Sequence, residues 1–184
     1  MLPATSRLTF SPVTAADRAF YYALERHPQV MRYVAENRTD DTIEAMFSEA
    51  CQPWQRDRDG WLCLLMRLRS TGEPVGIYGL QHCLAHRRGE LGFLLMPHFW
   101  GQGLASEATA AMIAYAFDEL ALHKLTAVVA AVHTGSLRVL EKQGFEREGL
   151  LREQAWLDGA WQDDVLLGLL ASNRKKPALL SGLG

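Results

Sequence analysis

The sequence of 184 residues is short of cysteine and contains no long apolar run. Cys51, Cys63 and Cys83 are too few and too scattered for a disulfide framework, so we expect a reducing, cytoplasmic environment. No segment approaches the roughly 20 consecutive apolar residues that a membrane-spanning helix needs. Residues 1–11 lack the charged-then-apolar order of a secretory signal. These absences predict a cytoplasmic protein that does not interact with membranes.

An excess of charge of either sign is also missing. The 19 basic and 21 acidic residues leave a net charge of −2, whereas nucleic-acid binding rests on a basic excess that meets phosphates. We therefore expect no nucleic-acid partner. The hydrophobic fraction of 48% and the charged fraction of 22% are ordinary for a globular protein. The length predicts a single domain, which we place over residues 1–171, and the polar, then Leu- and Gly-rich residues 172–184 predict a flexible tail. We expect a monomer or a homodimer.

Hydrophobic periodicity predicts a mixed α/β fold. Alternating or continuous apolar runs predict strands over residues 7–10, 61–69, 74–82, 89–96, 125–132, 148–157 and 161–170. Helical spacing predicts helices over residues 14–26, 40–50, 104–117 and 134–143, and a polar loop over residues 52–60. Because strands follow strands in the middle and at the end, we expect a mostly antiparallel central sheet with helices on both faces.

The most informative segment is the glycine loop of residues 100–108, which reads WGQGLASEA. Gly101 and Gly103 stand between a predicted strand and the strongest predicted helix. Glycines let backbone N–H groups approach a ligand closely, and the free N–H groups of a helix N-terminus favour an anion such as pyrophosphate. The dinucleotide fingerprint and the P-loop pattern are both incomplete here. The loop indicates a phosphate-bearing ligand, with a tight connection that binds nothing as the alternative.

An ordered set of short motifs surrounds this loop. Its members are Arg7-Leu8, Gly92-Phe93, the loop from Trp100 to Ala105, Ser136, the run from Glu141 to Phe145, Glu148-Gly149, Asp158-Gly159 and Trp161 with Asp163. With these motifs the chain, from Arg7 to about Leu170, resembles the GNAT superfamily of acetyl-CoA-dependent N-acetyltransferases. It is most similar to the branch that acetylates the N-terminal amines of ribosomal proteins. The resemblance implies the GNAT fold and acetyl-CoA as co-substrate.

The resemblance also implies which residues bind acetyl-CoA. The pyrophosphate falls to the loop of Trp100, Gly101, Gln102, Gly103, Leu104 and Ala105, and the pantetheine arm to the backbone of Phe93, Leu94 and Leu95. His133 stands where the family usually has asparagine beside that arm, and its imidazole keeps one donor and one acceptor. Arg138 and Lys142 are candidates for the 3′-phosphate contact, with solvated helix charges as the alternative.

Acetyl transfer to an amine also needs a base and an acid. Glu90 is the candidate base because it lies on the strand that leads to the loop, and a solvated carboxylate beside neighbouring arginines is the alternative. Ser136 matches the serine that this branch places near the sulfur of CoA, so it is the candidate acid. The alternative is that Ser136 only caps the following helix or packs in it, and Tyr115 or His133 is the acid if Ser136 is not.

The predicted function is direct transfer of an acetyl group from acetyl-CoA to a primary amine, with a protein N-terminal amine as the first choice. An antibiotic, polyamine or amino acid amine is the alternative acceptor, and a non-catalytic acyl-CoA sensor is the alternative class. His82, Cys83 and His86 form a partial metal-ligand pattern without an evident fourth ligand, so no metal is expected.

Overall fold

The computed structural model describes residues 2–36 and 38–174 and is built on a seven-stranded sheet. The strands are β1 (Leu8–Pro12), β2 (Gly60–Leu68), β3 (Pro74–Cys83), β4 (Arg88–Leu95), β5 (Lys124–Ala130), β6 (Glu146–Leu157) and β7 (Ala160–Leu170). Their order in the sheet is β1-β2-β3-β4-β5-β7-β6. Only β4 and β5 are parallel neighbours, and every other neighbouring pair is antiparallel. The predicted mixed α/β, mostly antiparallel fold is confirmed.

Helices cover both faces of this sheet. They are α1 (Arg18–Glu25), α2 (Pro28–Met31), α3 (Asp40–Ala50), α4 (Leu104–Ala114) and α5 (Thr134–Lys142). One buried cluster joins the sheet to α4 and α5 through residues such as Leu80, Met112 and Leu140. A second cluster joins the other face to α1, α2 and α3 through residues such as Ile77 and Phe47. Alternate residues of each strand therefore face different helical layers, as the pleat of a strand requires.

The helix ends depart from the sequence prediction in three places. The carboxylate of Asp17 accepts hydrogen bonds from the backbone N–H and the hydroxyl of Thr14, which confirms the predicted N-terminal signal. That turn is a 3₁₀ helix before α1 begins, and a second short helix starts at Pro28, where a break was predicted. A proline at the first position fits a helix start because its missing N–H has no partner there in any helix. Helix α4 ends at Ala114, and the chain continues in a π-helical turn to Glu119.

The described residues continue the fold past the predicted domain boundary at residue 171. Residues 171–173 form a 3₁₀ helix, and Arg174 Nη1 lies 2.5 Å from Asp118 Oδ1. The rest of the predicted flexible tail, residues 175–184, lies outside the described residues. Within the described part of the chain, no helix combines the length and the hydropathy that crossing a membrane requires.

Strands β4 and β5 form a fork. They pair only where Arg88, Gly89 and Glu90 face Lys124, Leu125 and Thr126. Beyond that point β4 remains paired with β3 as far as Leu95, while β5 remains paired with β7 as far as Ala130. Each strand follows its outer neighbour, so a gap opens between them. This gap positions the candidate site.

Gly76 on β3 offers a test of how tightly the sheet supports one arm of the fork. A Cβ atom at Gly76 would lie 2.1 Å from the backbone oxygen of Leu94, so a larger residue must move the β4 backbone. We expect Gly76→Ala to lower the free energy of unfolding by about 1–3 kcal/mol, measured by urea denaturation. Gly149→Ala is the matched control because nothing lies within 4 Å of its Cβ position. Equal stabilities of the two variants would contradict this account.

Candidate active site

A cavity of about 770 Å³ fills the gap between the arms of the fork. Residues 91–95 of β4 and residues 127–130 of β5 form two of its walls, and apolar atoms dominate the lining. The glycine loop and the first turns of α5 close one end. Side chains from the segment that carries α1, α2 and α3 close the other end. The cavity therefore joins the glycine loop to the helices on the opposite face of the sheet.

The glycine loop has the conformation that its sequence predicts. Gly101 and Gly103 have φ angles of 73° and 77°, in the left-handed region that favours glycine. Gly103 is the residue before α4, and the N-terminal end of α4 opens on the cavity. The unpaired N–H groups of that end can hold an anion. Among the predicted loop residues, only Gln102 does not line the cavity; its side chain donates to the backbone oxygen of His98 at 2.8 Å.

An ion pair at the start of α4 holds the loop from outside. Arg7 Nε lies 2.5 Å from Glu107 Oε2, and Arg7 Nη1 donates to the backbone oxygen of Gln102 at 2.8 Å. Burial raises the pKa of Glu107, but hydrogen bonds from Thr5 and from the backbone and side chain of Arg7 outweigh it and lower the pKa to about 2. The segment before β1 is thereby fastened to the loop, a contact that motif spacing does not reveal.

Trp100 connects the loop to the end of β4. Its indole Nε1–H donates to the backbone oxygen of Leu95 at 2.8 Å, while about half of the residue remains exposed. The sequence placed Trp100 at the first position of the loop. The structure shows that the indole joins the glycine loop to the end of β4 through this hydrogen bond. The predicted residues Phe93, Leu94 and Leu95 line the cavity beside it.

His133 and Ser136 form a hydrogen-bonded pair in the cavity wall. His133 is the residue before α5, and its Nε2 lies 3.0 Å from Ser136 Oγ. Burial lowers the pKa of His133, which favours the neutral form of its imidazole. The ring of Tyr33 packs against the imidazole from the side of the early helices, with 4.8 Å between ring centroids. The hydroxyl of Ser136 thus bonds to the imidazole of His133, and Ser136 itself lies within α5, three residues past the N-cap position.

Glu90 lies beside the cavity but outside its lining. It faces Gln81 on β3 and Thr126 on β5, in the last residue pair before the strands separate. Its side chain is half-buried, and the lining of β4 begins at the next residue, Leu91. The structure therefore brings Glu90 to the base of the fork without placing it in the cavity wall.

Three further predicted residues lie away from the cavity wall. Tyr115 is buried in the core cluster around α4 and does not line the cavity. Arg138 and Lys142 are exposed on α5, and neither forms an ion pair with another described residue. The residues of the partial metal-ligand pattern, for which no metal was expected, lie apart, since His82 is buried against the ring of Trp54 whereas His86 is exposed. Across the described ranges, no three His, Cys, Asp or Glu side chains are arranged to hold a metal ion.

Several ionisable and aromatic side chains of the cavity were not predicted. They come from α1, the segment between α2 and α3, α3, β2 and β7, and they are Tyr21, Glu25, Tyr33, Arg38, Glu49, Trp61 and Asp164. Glu25 is buried and forms an ion pair with Arg38. Burial, together with the nearby Asp163, raises the pKa of Asp164. No motif links these positions, because each lies on a different turn or strand of the sequence.

A second cavity of about 710 Å³ lies beside the first and shares Glu25 and Arg38 with it. It lies between the segment around α2 and the tip of the β6–β7 hairpin. Gly159 N donates to Glu36 Oε1 at 3.2 Å, and Arg32 Nη2 lies 3.7 Å from Asp158 Oδ2. The Glu25–Arg38 pair therefore separates an inner, mostly apolar space from an outer, charged one.

The chain is similar to known acetyltransferases over most of its length. Residues 7–146 match the family model of the acetyltransferase (GNAT) domain. The chain is 31% identical over 166 residues to the uncharacterised N-acetyltransferase YoaA of Bacillus subtilis, covering 86% of this chain and 90% of the relative. It is 24% identical to the spermidine N(1)-acetyltransferase of Escherichia coli K12, covering 89% and 86%. It is 30% identical to YdaF of Bacillus subtilis, provisionally named a ribosomal N-acetyltransferase, covering 61% and 55%.

A solved structure shares the fold. The spermidine N-acetyltransferase of Vibrio cholerae, crystallised in complex with CoA and spermine, superimposes with a TM-score of 0.80 at 23% identity. The match covers 92% of this chain and 98% of that chain. At this identity the likeness establishes the fold alone.

The ion pair of Arg7 and Glu107 predicts a pH-dependent stability. A carboxyl group with a lowered pKa stabilises the folded state above its ordinary pKa of about 4.5 and loses this contribution as the pH falls towards about 2. We expect Glu107→Gln to lower the Tm at pH 7, and the difference from the wild type to close between about pH 4.5 and pH 2. Calorimetry across this range measures it. Glu146→Gln, at an exposed position without an ion pair in the described chain, is the control. A Tm difference that does not change with pH would contradict the prediction.

Proposed function

The chain belongs to the GNAT family of acetyltransferases, and from this premise we propose that it acetylates the N-terminal amine of a protein or peptide. It is an N-acetyltransferase that uses acetyl-CoA, as its family and its named relatives are. Those names give no support to a non-catalytic acyl-CoA sensor. The identity of the acceptor amine is the part that we propose.

The glycine loop at the edge of the fork carries the acetyl-CoA assignment. The backbone of Gly101, Gly103 and Ala105 faces the cavity at the N-terminus of α4, which suits a pyrophosphate. Past Glu90, the edge of β4 that faces the fork has no strand partner within the described chain. We propose that this edge bonds the amides of the pantetheine arm in the manner of an added strand. We also propose that Arg138 and Lys142, both exposed on α5, contact the 3′-phosphate of CoA.

With the pyrophosphate at the glycine loop and the pantetheine arm along β4, the thioester of acetyl-CoA lies inside the cavity between β4 and β5. Ser136 lines this cavity and carries a hydroxyl that can donate a proton to the departing sulfur, so we keep it as the acid. Glu90 is one residue outside the lining, so a role as the base requires a water between its carboxylate and the amine. We propose that Glu90, through such a water, takes the proton whose loss turns the ammonium form of the acceptor into the neutral, attacking amine.

The charges of the two cavities support a peptide acceptor. The inner cavity contains the carboxyl groups of Glu25, Glu49 and Asp164 and a single guanidinium, that of Arg38. The carboxyl groups exceed the guanidinium by two, so this cavity attracts the positive charge of an ammonium group. The charges of the outer cavity balance as a whole. Its three arginines are Arg26, Arg32 and Arg38, and its three carboxyl groups belong to Glu25, Glu36 and Asp158.

An acceptor that fills both cavities therefore carries its positive charge at one end and a longer, neutral chain behind it. A peptide with a free N-terminus has this form. A polyamine carries positive charge along its whole length and gains little from a neutral outer cavity, because the carboxylates there are already paired with arginines or a backbone N–H. The spermidine acetyltransferases among the relatives make a polyamine the second candidate.

Replacement of Gly103 tests the acetyl-CoA site. We expect Gly103→Val to weaken acetyl-CoA binding at least tenfold, about 1.4 kcal/mol, because the side chain blocks the approach to the helix N-terminus. Gly72→Val is the matched control: Gly72 has a similar φ of 76° with nothing within 4 Å, and it lies in the β2–β3 turn away from the cavity. Calorimetry should show weakened binding for Gly103→Val only. Equal losses of affinity in both variants would mean that strain, not blocked approach, causes the effect.

A panel of amines, followed by the release of the CoA thiol, tests the acceptor. We expect kcat/KM to rise at least tenfold from a dipeptide to a hexapeptide, because the longer chain reaches the outer cavity. N-terminally blocked peptides of the same sequences are the control and should not react. A kcat/KM for spermidine, an aminoglycoside or a free amino acid that is tenfold above every peptide would contradict the peptide assignment.

A further inference from the structure

The hydrogen-bonded pair of His133 and Ser136 lies between the end of the cavity at the glycine loop, where we place acetyl-CoA, and the end at the early helices, where we place the acceptor. Ser136 lies on the first turn of α5, three residues after His133, and both side chains line the cavity. The imidazole contacts Tyr33 on the side of the early helices and Ser136 on the other side. His133 therefore connects the acceptor end of the cavity with the end that faces the glycine loop.

The two nitrogens of His133 have different surroundings. Nε2 lies 3.0 Å from Ser136 Oγ, whereas Nδ1 has no hydrogen-bond partner among the residues that the structure describes. A neutral imidazole carries one proton, so it can accept a proton on one nitrogen while it releases the proton on the other. An asparagine at this position, the residue usual in the family that the sequence resembles, cannot do so.

We propose that His133 and Ser136 form a proton relay from the attacking amine to the departing sulfur. This role rests on the proposed acetyl transfer. As the amine nitrogen bonds to the acetyl carbon, its N–H proton passes to Nδ1 of His133, and the Nε2 proton passes to Ser136 Oγ. The hydroxyl proton of Ser136 moves to the sulfur, which takes the electron pair of the broken carbon–sulfur bond. The relay conserves protons, because the proton lost by the amine is the proton gained by the thiol.

The charged side chains around the cavity do not prevent His133 from accepting and releasing a proton. The ionisable side chains that face the same cavity, besides Tyr33, are Tyr21, Glu25, Arg38, Glu49, Cys63 and Asp164. Glu25 and Arg38 neutralise each other. Burial alone accounts for the lowered pKa of His133, which falls below 6.5, so no neighbouring charge holds the imidazole in its protonated form.

The pH dependence of kcat/KM separates the relay from other mechanisms. A peptide α-amine must be neutral to attack, and its pKa is about 7.7–8.0, so log kcat/KM rises with a slope of one below that pH. If His133 must also be neutral, the slope increases to two below the pKa of His133. We expect this steepening in the wild-type enzyme and a constant slope of one in His133→Asn. The substitution should lower kcat by about 10²-fold while the Kd of acetyl-CoA changes less than threefold.

Two further measurements test the pair as a unit. Ser136→Ala should lower kcat to a similar extent, and the double variant should be no slower than the slower single variant, because both residues serve one pathway. Nuclear magnetic resonance of the imidazole carbon of His133 in the free enzyme should give a pKa below 6.5 that matches the pH of the steepening. His86→Asn, at an exposed position outside the cavity, is the control and should retain the wild-type slope and kcat.

Three results would overturn the relay. They are a His133→Asn enzyme with a wild-type kcat and slope, a His133 pKa above 7, and a steepening that disappears in Glu90→Gln but remains in His133→Asn. The wild-type slope and the resonance titration decide the matter even if a variant does not fold. The proposed function fails separately, if the wild-type enzyme binds no acetyl-CoA or acetylates no peptide. If another amine is the acceptor, the same profiles are measured with that amine.

Discussion

The separation of β4 and β5 after three residue pairs is the constraint on which the site depends. Each strand remains in register with its outer neighbour, so the unpaired edges face each other across the gap. Gly89 fixes the base of the fork, because a Cβ there would lie 2.6 Å from Leu80 and 2.9 Å from Leu122. Helical layers on both faces hold the arms in place. The opening is therefore a product of packing around the strands.

Both ends of the cavity are held by contacts from distant parts of the chain. Arg7, before β1, pairs with Glu107 and bonds to the backbone of the glycine loop, which keeps the N-terminus of α4 directed at the cavity. At the opposite end the Glu25–Arg38 pair lies between the inner and the outer cavity. Of these two pairs, the buried Glu25–Arg38 pair sets geometry more than it adds stability, since the gain from attraction is offset by lost hydration. The two pairs therefore lie at opposite ends of the cavity.

The parts of the site that sequence analysis predicted are local in the chain. Gly101 and Gly103 belong to a continuous strand–loop–helix segment, and glycine at left-handed φ angles follows from their identity. His133 and Ser136 lie within one helical turn, and their contact follows from that spacing. Glu90 was placed correctly on β4, but only the structure shows that it lies one residue outside the cavity wall. Tyr33, Glu49 and Asp164 were missed because they meet only after the helices pack on the sheet.

The sequence by itself determined the α/β class, most of the strands and helices, and the glycine loop with its helix, since these depend on periodicity and on conformational preferences of neighbouring residues. Tertiary structure alone decided the strand order, the fork, the charge balance of the two cavities and the contact between His133 and Tyr33. These features join residues that are far apart in the chain. Their distances are set by the packing of whole layers, and no local pattern encodes that packing.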